Sequence, residues 1–288
     1  MLILIADAFD KSLPEKLSIF GEVTTDIERL GEADVVLIRS KTKATKDYID
    51  KAKNMKLIIR GGVGMDNIDI PYCKEKGIVA TNTPRSSAIA VAELAFCLML
   101  STPNNLCFYD STMKNGEWAK KTKRHELYGK TLCLLGIGNI ARKVAERAHA
   151  FGMKVVAYDI FKIPELENEN MRYAEMDELF EVSDFISLHT PSIDGRPLIN
   201  AETIAKMKNG VVIINTSRGN NVDEQALLDA LNSGKVFGAG LDVFAEEPAK
   251  NVELYSHPRV SCTPHIGAST SEAQKRIGAE IVDIITKF

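Results

Sequence analysis

Short apolar runs alternate with amphipathic or polar segments along most of the chain. In the first third, the runs that we predict to be strands are residues 2–5, 35–38, 57–59 and 79–80. A second series begins at Thr131 and comprises residues 131–135, 154–158, 185–188, 211–215, 237–241 and 260–262. This alternation is typical of parallel sheets covered by helices on both faces. Two such series predict two α/β domains.

The boundary between the two series falls at the segment 82–85. Pro84 disfavours helical geometry at the residue before it, so we expect the next helix to begin after it. The last segment, 269–288, has apolar residues at helical spacing but no strand of its own to cover. We therefore predict that it crosses back onto the first domain. The predicted domains are residues 1–93 with 268–288, and residues 94–267.

Composition narrows the class of protein without identifying it. The 288 residues are 45% hydrophobic and 26% charged with a net charge of −3, which gives no overall attraction to nucleic acid or an anionic membrane. The five cysteines show no C-x-x-C spacing, which favours reduced thiols over a disulfide framework or a metal site. The apolar run 88–100 is too short to span a bilayer, which takes about 20 residues. We expect a cytoplasmic protein that binds neither nucleic acid nor membrane.

A glycine-containing turn follows the strand at 131–135. Gly136 allows a tight turn, and Gly138 allows a pyrophosphate to approach the backbone where the next helix begins. Ala141 is small enough for that helix to pack closely on the strand. Asp159 ends the following strand, where a carboxylate accepts hydrogen bonds from ribose hydroxyls and repels a 2′-phosphate. The pattern predicts a dinucleotide site that favours NAD over NADP.

Three polar motifs follow later strands of the same series, and they carry Arg218, Glu247 and His265. The planar fork of an arginine suits a carboxylate, and a histidine exchanges protons near neutral pH. A carboxylate beside that histidine fixes its tautomer and stabilises its charged form. Each residue alone is more often a surface charge or a turn residue. Together, and next to a dinucleotide site, they predict hydride transfer between a 2-hydroxy acid and its 2-oxo acid.

The ordered set of motifs resembles the D-isomer-specific 2-hydroxyacid dehydrogenases over nearly the whole chain. The motifs are Gly136-x-Gly138-x-x-Ala141, Asp159, His189-Thr190-Pro191, Thr216-Ser217-Arg218-Gly219, Asp242-Val-Phe-x-Glu-Glu247-Pro248 and Pro264-His265-Ile-Gly267-Ala268. The resemblance implies a doubly wound Rossmann-type NAD domain, a smaller flavodoxin-like α/β substrate domain that is discontinuous in sequence, and a homodimer. It also implies that Arg218, Glu247 and His265 are catalytic. The implied cofactor contacts are Val63, Gly136, Gly138, Asn139, Ile140, Asp159, His189, Thr190, Pro191, Thr216, Ser217, Arg218, Asp242, His265, Gly267 and Ala268.

Within this family the chain most resembles the D-3-phosphoglycerate dehydrogenases. The stretches that carry this likeness include Ile38-Arg39-Ser40, Ile59-Arg60-Gly61-Gly62-Val63-Gly64 and Gly116-Glu-Trp118. The likeness implies NAD-dependent oxidation of D-3-phosphoglycerate to 3-phosphohydroxypyruvate in serine biosynthesis, by a short form without a regulatory domain. The implied substrate contacts are Arg39, Arg60, Gly61, Gly62, Lys120, Arg218 and His265. Lys120 stands where a second arginine is usual in these enzymes, and lysine lacks the bidentate fork.

Other interpretations stay open at this stage. The chain could be a glyoxylate/hydroxypyruvate or D-lactate-type dehydrogenase, whose activity would be indifferent to removal of Arg39 or Arg60. Separately, these two arginines could form structural ion pairs. A protein of another class, an NAD-sensing corepressor-like binding protein, would share the same fold. The sequence predicts no metal site for any of these functions.

Overall fold

Two parallel sheets form from the two series of apolar runs. In a computed structural model of the chain, residues 1–120, 123–192 and 195–288 are described. The strands are β1 Leu2–Ile5, β2 Glu22–Thr24, β3 Val35–Ile38, β4 Leu57–Arg60, β5 Val79–Asn82, β6 Thr131–Leu135, β7 Lys154–Tyr158, β8 Met171–Tyr173, β9 Phe185–Leu188, β10 Val211–Asn215, β11 Val236–Leu241 and β12 Val260–Cys262. The α-helices are α1 Leu13–Leu17, α2 Lys46–Lys51, α3 Ile70–Glu75, α4 Ala88–Asn104, α5 Leu106–Lys114, α6 Asn139–Ala150, α7 Met176–Val182, α8 Ala201–Lys206, α9 Glu224–Ser233, α10 Val252–Tyr255 and α11 Ser271–Lys287.

The chain divides into two units, each with its own sheet. The first unit is Met1–Ala90 with Ala268–Phe288, and the second is Val91–Gly267. The boundary between them lies inside α4, three residues before the position predicted from the sequence.

The first unit has a five-stranded sheet in the order β2-β1-β3-β4-β5, which is a flavodoxin-like order. Alternate residues of each strand face opposite sides of the sheet. On one side, Ile3, Leu37 and Ile59 pack with three isoleucines of α11: Ile277, Ile281 and Ile285. The last helix therefore supplies part of the core of a sheet whose strands lie more than 180 residues earlier in the chain.

The second unit has a seven-stranded parallel sheet in the order β12-β11-β10-β9-β6-β7-β8. Along the sheet, the strand order reverses between β6 and β9, and ligands of doubly wound folds bind at the carboxyl ends of the strands at such a reversal. Apolar clusters cover both faces, with Leu132 and Leu134 on one side and Cys133 and Leu135 on the other. The two sheets confirm the predicted α/β fold class.

Two strands, β2 and β8, were not predicted. Each has three residues, and most of these are half-buried or exposed because the strands lie at sheet edges. An edge strand of this length has too few apolar positions to produce a hydrophobic run. Strand β5 also extends two residues beyond its predicted end, to Asn82.

The apolar run at 88–100 forms the first part of α4. Its residues Ala92, Ala95 and Met99 are fully buried. Among the described residues no single helix has both the length and the hydropathy to span a membrane, whereas α4 and α5 together do by length and composition, with a bend of 64° between them. All five cysteines are free thiols.

Candidate active site

Gly136 makes the turn at the carboxyl end of β6. Its φ of +87° lies in the left-handed region, which favours glycine. A Cβ at this position would also lie 2.9 Å from the carbonyl oxygen of His189, in the loop after the neighbouring strand β9. Backbone conformation and close approach therefore both require glycine here.

The amino terminus of α6 follows directly and has features that fit an anion. The N-cap residue is Gly138, which has no side chain to cap α6. A Cβ built on Gly138 would meet no described atom within 4 Å. Ala141 is fully buried, as close packing of α6 on the sheet requires. A helix amino terminus that begins at a glycine, where a ligand can approach the backbone, fits the pyrophosphate of a dinucleotide.

The carboxylate of Asp159 also holds the glycine turn. One oxygen accepts a hydrogen bond of 2.7 Å from the backbone N–H of Ile137, and the other accepts one of 3.0 Å from Phe161. Each oxygen keeps a second lone pair for a ribose hydroxyl. Lys162, which could weaken discrimination against a 2′-phosphate, has its ammonium 3.7 Å from the carboxylate of Glu175. Asp159 thus has a structural function that the sequence motif did not reveal.

His189 follows β9, and its ring is held below the surface. Its Nε2 lies 2.9 Å from the hydroxyl of Ser187, and its Nδ1 is buried without a partner among the described residues. Burial lowers the pKa of His189 to about 4, so the ring is neutral near neutral pH. The structure therefore gives this predicted cofactor contact a half-buried side chain with a neutral ring.

An asparagine for which the sequence predicted no function organises the loop after β10. The amide oxygen of Asn215 accepts hydrogen bonds from the backbone N–H of Ser217 at 3.0 Å and from its hydroxyl at 2.9 Å. Its amide nitrogen donates to the carbonyl of Arg218 at 2.8 Å. The guanidinium of Arg218 in turn donates to the carbonyl of Ser217 at 2.6 Å. Asn215 thus shapes the turn that presents Arg218.

A second asparagine, Asn221, links this loop to the loop after β9. It is fully buried, and its amide nitrogen donates to the carbonyl of Thr190 at 3.1 Å and to the hydroxyl of Ser217 at 3.0 Å. Its amide oxygen and the hydroxyl of Thr216 are buried atoms with no hydrogen-bond partner in the described chain. Buried polar atoms of this kind usually meet a ligand or water. Pro191, the last residue of its predicted motif, is exposed.

The carboxylate of Asp242 holds the loop that carries the candidate catalytic histidine. One oxygen accepts from the hydroxyl of Thr263 at 2.6 Å and from the N–H of Ile266 at 2.8 Å, and the other accepts from Gly267 at 2.9 Å. The backbone N–H of His265 donates to the Asp242 carbonyl at 2.8 Å. Asp242 is buried, so these bonds satisfy a carboxylate that has little access to water.

His265 and Glu247 form a hydrogen-bonded pair. Nδ1 of His265 lies 2.7 Å from Oε2 of Glu247. An ionised carboxylate only accepts, so Nδ1 carries the proton and Nε2 is left to exchange a proton with a ligand. The side chains are 36% and 41% exposed and border a cavity of about 500 Å³ with mostly apolar walls. The arrangement is that of a general acid–base with an orienting carboxylate.

A glycine brings the loops of Arg218 and Glu247 together. A Cβ on Gly219 would overlap the carbonyl carbon and oxygen of Phe244, so any other residue would force the two loops apart. The pair described above joins the Glu247 loop to the His265 loop. The second unit therefore places the three predicted catalytic residues on three loops in mutual contact.

The predicted substrate residues of the first unit lie at the carboxyl ends of β3 and β4. Ile38, the last residue of β3, is in register with Arg60, the last residue of β4, and Arg39 follows directly. The carboxylate of Asp7 accepts hydrogen bonds from the backbone N–H of Arg39 and from the backbone N–H and hydroxyl of Thr42. No described carboxylate lies within 4.0 Å of the guanidinium of Arg39. Desolvation by burial lowers the pKa of Arg39. The guanidinium of Arg39 donates to the carbonyl of Ala8 at 3.3 Å.

The remaining predicted contacts have less specific surroundings. A Cβ on Gly62 would come within 2.5 Å of the Arg60 guanidinium, and one on Gly61 would overlap the ring of Phe9. Val63 is exposed, and its carbonyl accepts from the side-chain amide of Asn82. Lys120 is exposed in the second unit, and Ile140 is half-buried on α6. The carbonyl of Ala268 accepts a hydrogen bond of 2.7 Å from the side-chain amide of Gln274.

The burial of His189 predicts a pH dependence of stability. An unfolded histidine has a pKa near 6.5, so between pH 6.5 and about 4 the unfolded chain binds a proton that folded His189 does not. The free energy of unfolding should therefore fall as pH is lowered through this range. Urea unfolding at several pH values should show a smaller fall for His189→Gln. Parallel curves for the two proteins would contradict the assignment.

Comparison with known proteins identifies the family. Residues 96–267 match the NAD-binding domain of the D-isomer-specific 2-hydroxyacid dehydrogenases. A hydroxypyruvate reductase of Thermotoga maritima is 52% identical over 261 residues, which are 89% of this chain and 85% of the relative. A D-3-phosphoglycerate dehydrogenase of Methanocaldococcus jannaschii is 43% identical over 298 residues, which are 99% of this chain and 57% of the relative. The chain spans little more than half the length of that relative.

Solved structures of similar proteins support the same family. A D-lactate dehydrogenase from Aquifex aeolicus complexed with NAD and lactic acid aligns with a TM-score of 0.88 at 33% identity, over 99% of this chain and 94% of the other. A glyoxylate reductase from Paecilomyes thermophila aligns with a TM-score of 0.91 at 33% identity, with the same coverage. The chain belongs to the D-isomer-specific 2-hydroxyacid dehydrogenases, and residues 96–267 are their NAD-binding domain.

Proposed function

We propose that this NAD-dependent D-2-hydroxyacid dehydrogenase interconverts D-3-phosphoglycerate and 3-phosphohydroxypyruvate, the oxidation that begins serine biosynthesis. The observation that carries the phosphorylated substrate is the pair of arginines at the ends of β3 and β4. Arg39 follows β3 and Arg60 is the last residue of the neighbouring parallel strand β4, and the guanidinium of Arg39 has no carboxylate partner among the described residues. Each arginine can donate charge-assisted hydrogen bonds to a phosphate, which accepts several of them. Lys120 is a third candidate cation.

The second unit provides residues for the chemistry. NAD, when bound, accepts or returns the hydride of the substrate C2. In this proposal His265 takes the hydroxyl proton on Nε2 during oxidation and returns it during reduction. Glu247 holds the proton on Nδ1 and favours the imidazolium. Arg218 binds the substrate carboxylate and polarises the carbonyl oxygen.

The proposed cofactor contacts follow from the glycine turn and its neighbours. The amino terminus of α6 would hold the pyrophosphate, and Asp159 would accept from the adenosine ribose. The unpartnered hydroxyl of Thr216 supports a further contact in the loop after β10. Membership in a family of NAD-dependent enzymes favours catalysis over the NAD-sensing binding protein that the sequence left open.

A second candidate substrate is the unphosphorylated acid, hydroxypyruvate. It is favoured by the hydroxypyruvate reductase of Thermotoga maritima, which is 52% identical and similar in length to this chain. Hydroxypyruvate and its 3-phosphate have the same carbon skeleton. The choice between them depends only on whether the protein supplies charge for the phosphate.

The roles of the His265–Glu247 pair can be tested by removing each member. We expect His265→Ala to lower kcat by about 10²-fold or more, the scale of general acid–base catalysis. Glu247→Gln should lower kcat in the same direction, because the amide no longer stabilises the imidazolium. Stopped-flow NADH binding should remain near wild type in both. A near-normal kcat for His265→Ala would show that another group transfers the proton.

The substrate can be tested with a panel of acids and one arginine variant. Initial rates of NADH formation should give a higher kcat/KM for D-3-phosphoglycerate than for D-glycerate. Loss of a charge-assisted hydrogen bond of about 1.5–3 kcal/mol predicts that Arg39→Ala lowers kcat/KM for the phosphorylated acid about 10- to 100-fold. The value for D-glycerate should change little. Arg29→Ala is the matched control, because Arg29 already pairs with Glu22 and Glu32 in the same unit. Equal kcat/KM for the two acids would favour hydroxypyruvate instead.

The partner that we propose for the second unit is a second copy of the chain. Leu106, Met113 and Trp118 are more than half exposed, and a cavity of about 840 Å³ near Leu106 has mostly apolar walls. Apolar surface of this kind usually marks an interface. Light scattering should give twice the chain mass of 31.7 kDa, and Leu106→Glu should shift the protein toward that single-chain mass. Ile19→Glu, at an even more exposed apolar site of the first unit, should not shift the mass. A monomeric wild type would contradict the proposal.

A further inference from the structure

Helix α9 begins close to the candidate catalytic loops, and its first residue reaches one of them. Asp223 caps the helix by accepting from the N–H of Ala226 at 3.0 Å, which leaves Glu224 free of that function. Oε1 of Glu224 accepts a hydrogen bond of 2.9 Å from the backbone N–H of Ala245. Ala245 lies two residues before Glu247, in the loop after β11. Glu224 therefore connects a rigid element to the loop that carries the orienting carboxylate.

Among the described residues, three contacts constrain the Glu247 loop besides the Ala245–Glu224 hydrogen bond. The carbonyl of Phe244 packs against Gly219, the N–H of Phe244 lies 3.4 Å from Oε1 of Glu247, and Oε2 of Glu247 lies 2.7 Å from Nδ1 of His265. The residues from Ala245 to Pro248 are exposed, so apolar packing contributes little to their position. The hydrogen bond from Ala245 to Glu224 is the contact that fixes the backbone of this loop to helix α9.

Glu224 also lies where an acidic residue stabilises a helix, and that function must be distinguished from its contact with the Ala245 N–H. An acidic residue in the first turn of a helix stabilises the helix through its dipole, whatever else it contacts. Aspartate at this position would keep that charge but would be one methylene too short to reach Ala245. Glutamine would keep the reach and an accepting oxygen but would lose the charge. The two functions therefore respond to these substitutions in opposite ways.

We propose that Glu224 is a positioning residue for hydride transfer, which acts by holding the Ala245 N–H and so aligns Glu247 with His265. The proposal rests on the catalytic roles proposed above for Glu247 and His265. Glu224 itself exchanges no proton with the substrate. Its effect is on the fraction of molecules in which Glu247 and His265 are correctly paired.

The test compares kcat for three variants at this position. Misplacement of a catalytic group by about 1 Å costs up to about 100-fold, so Glu224→Ala and Glu224→Asp should each lower kcat by about 10- to 100-fold. KM for NADH should not change. Glu224→Gln should recover most of the lost kcat. Glu224→Asp should unfold at the wild-type temperature, which keeps the test valid if Glu224→Ala folds poorly. Asp229→Ala, which removes an exposed carboxylate of the same helix, is the matched control.

A double-mutant cycle distinguishes this proposal from the one on which it rests. If Glu224 acts through Glu247, Glu224→Asp should lower kcat much less in a Glu247→Gln background than in the wild type. Equal effects in both backgrounds, or a wild-type kcat for Glu224→Asp, would overturn the positioning function. A wild-type kcat for Glu247→Gln itself would instead overturn the proposed role of Glu247.

Discussion

Asp242 is buried at the end of β11, and both of its carboxylate oxygens accept hydrogen bonds from the loop after β12. A buried carboxylate is tolerated only when such donors replace water, so the loop and the carboxylate depend on each other. The same loop carries His265, and the Glu247 loop begins just beyond Asp242. The geometry of the His265–Glu247 pair therefore depends on a charge that is itself remote from solvent. The other loops are organised in a similar way, by Asn215 at the end of β10 and by Asp159 after β7.

Most of the fold can be predicted from the sequence because the central strands are buried on both faces. Such strands appear as uninterrupted apolar runs, and the runs at 131–135, 185–188 and 211–215 coincide with β6, β9 and β10. The edge strands β2 and β8 have no such run. The candidate catalytic residues could be picked out because acid–base chemistry and carboxylate binding need such side chains at strand ends. Asn215, Asn221 and Glu224 could not be picked out, because their contacts depend on which backbone groups a loop presents. Asparagine is a recognised turn former, which was the one available signal for Asn215 at the end of β10.

The relatives show how little of this structure is specific to one substrate. The D-lactate dehydrogenase and glyoxylate reductase structures superimpose on nearly the whole chain at 33% identity. A framework that is common to enzymes with different names does not define the substrate. The charges at the ends of β3 and β4 belong to the first unit, whereas the loops that carry the proposed acid–base chemistry belong to the second. The residues proposed for substrate choice and those proposed for chemistry are therefore supplied by separate sheets.

The backbone of His265 has a φ of +54°, in the left-handed region that residues other than glycine rarely adopt. Such a conformation costs of order 1–3 kcal/mol, and the surrounding hydrogen bonds to Asp242 must offset it. Glycine would relieve this strain but would remove the imidazole. A strained residue of this kind persists only where the surrounding structure fixes its conformation. A screen for heat resistance would therefore find a stabilising substitution at this position, and that substitution would remove the side chain to which we assign the proton transfer.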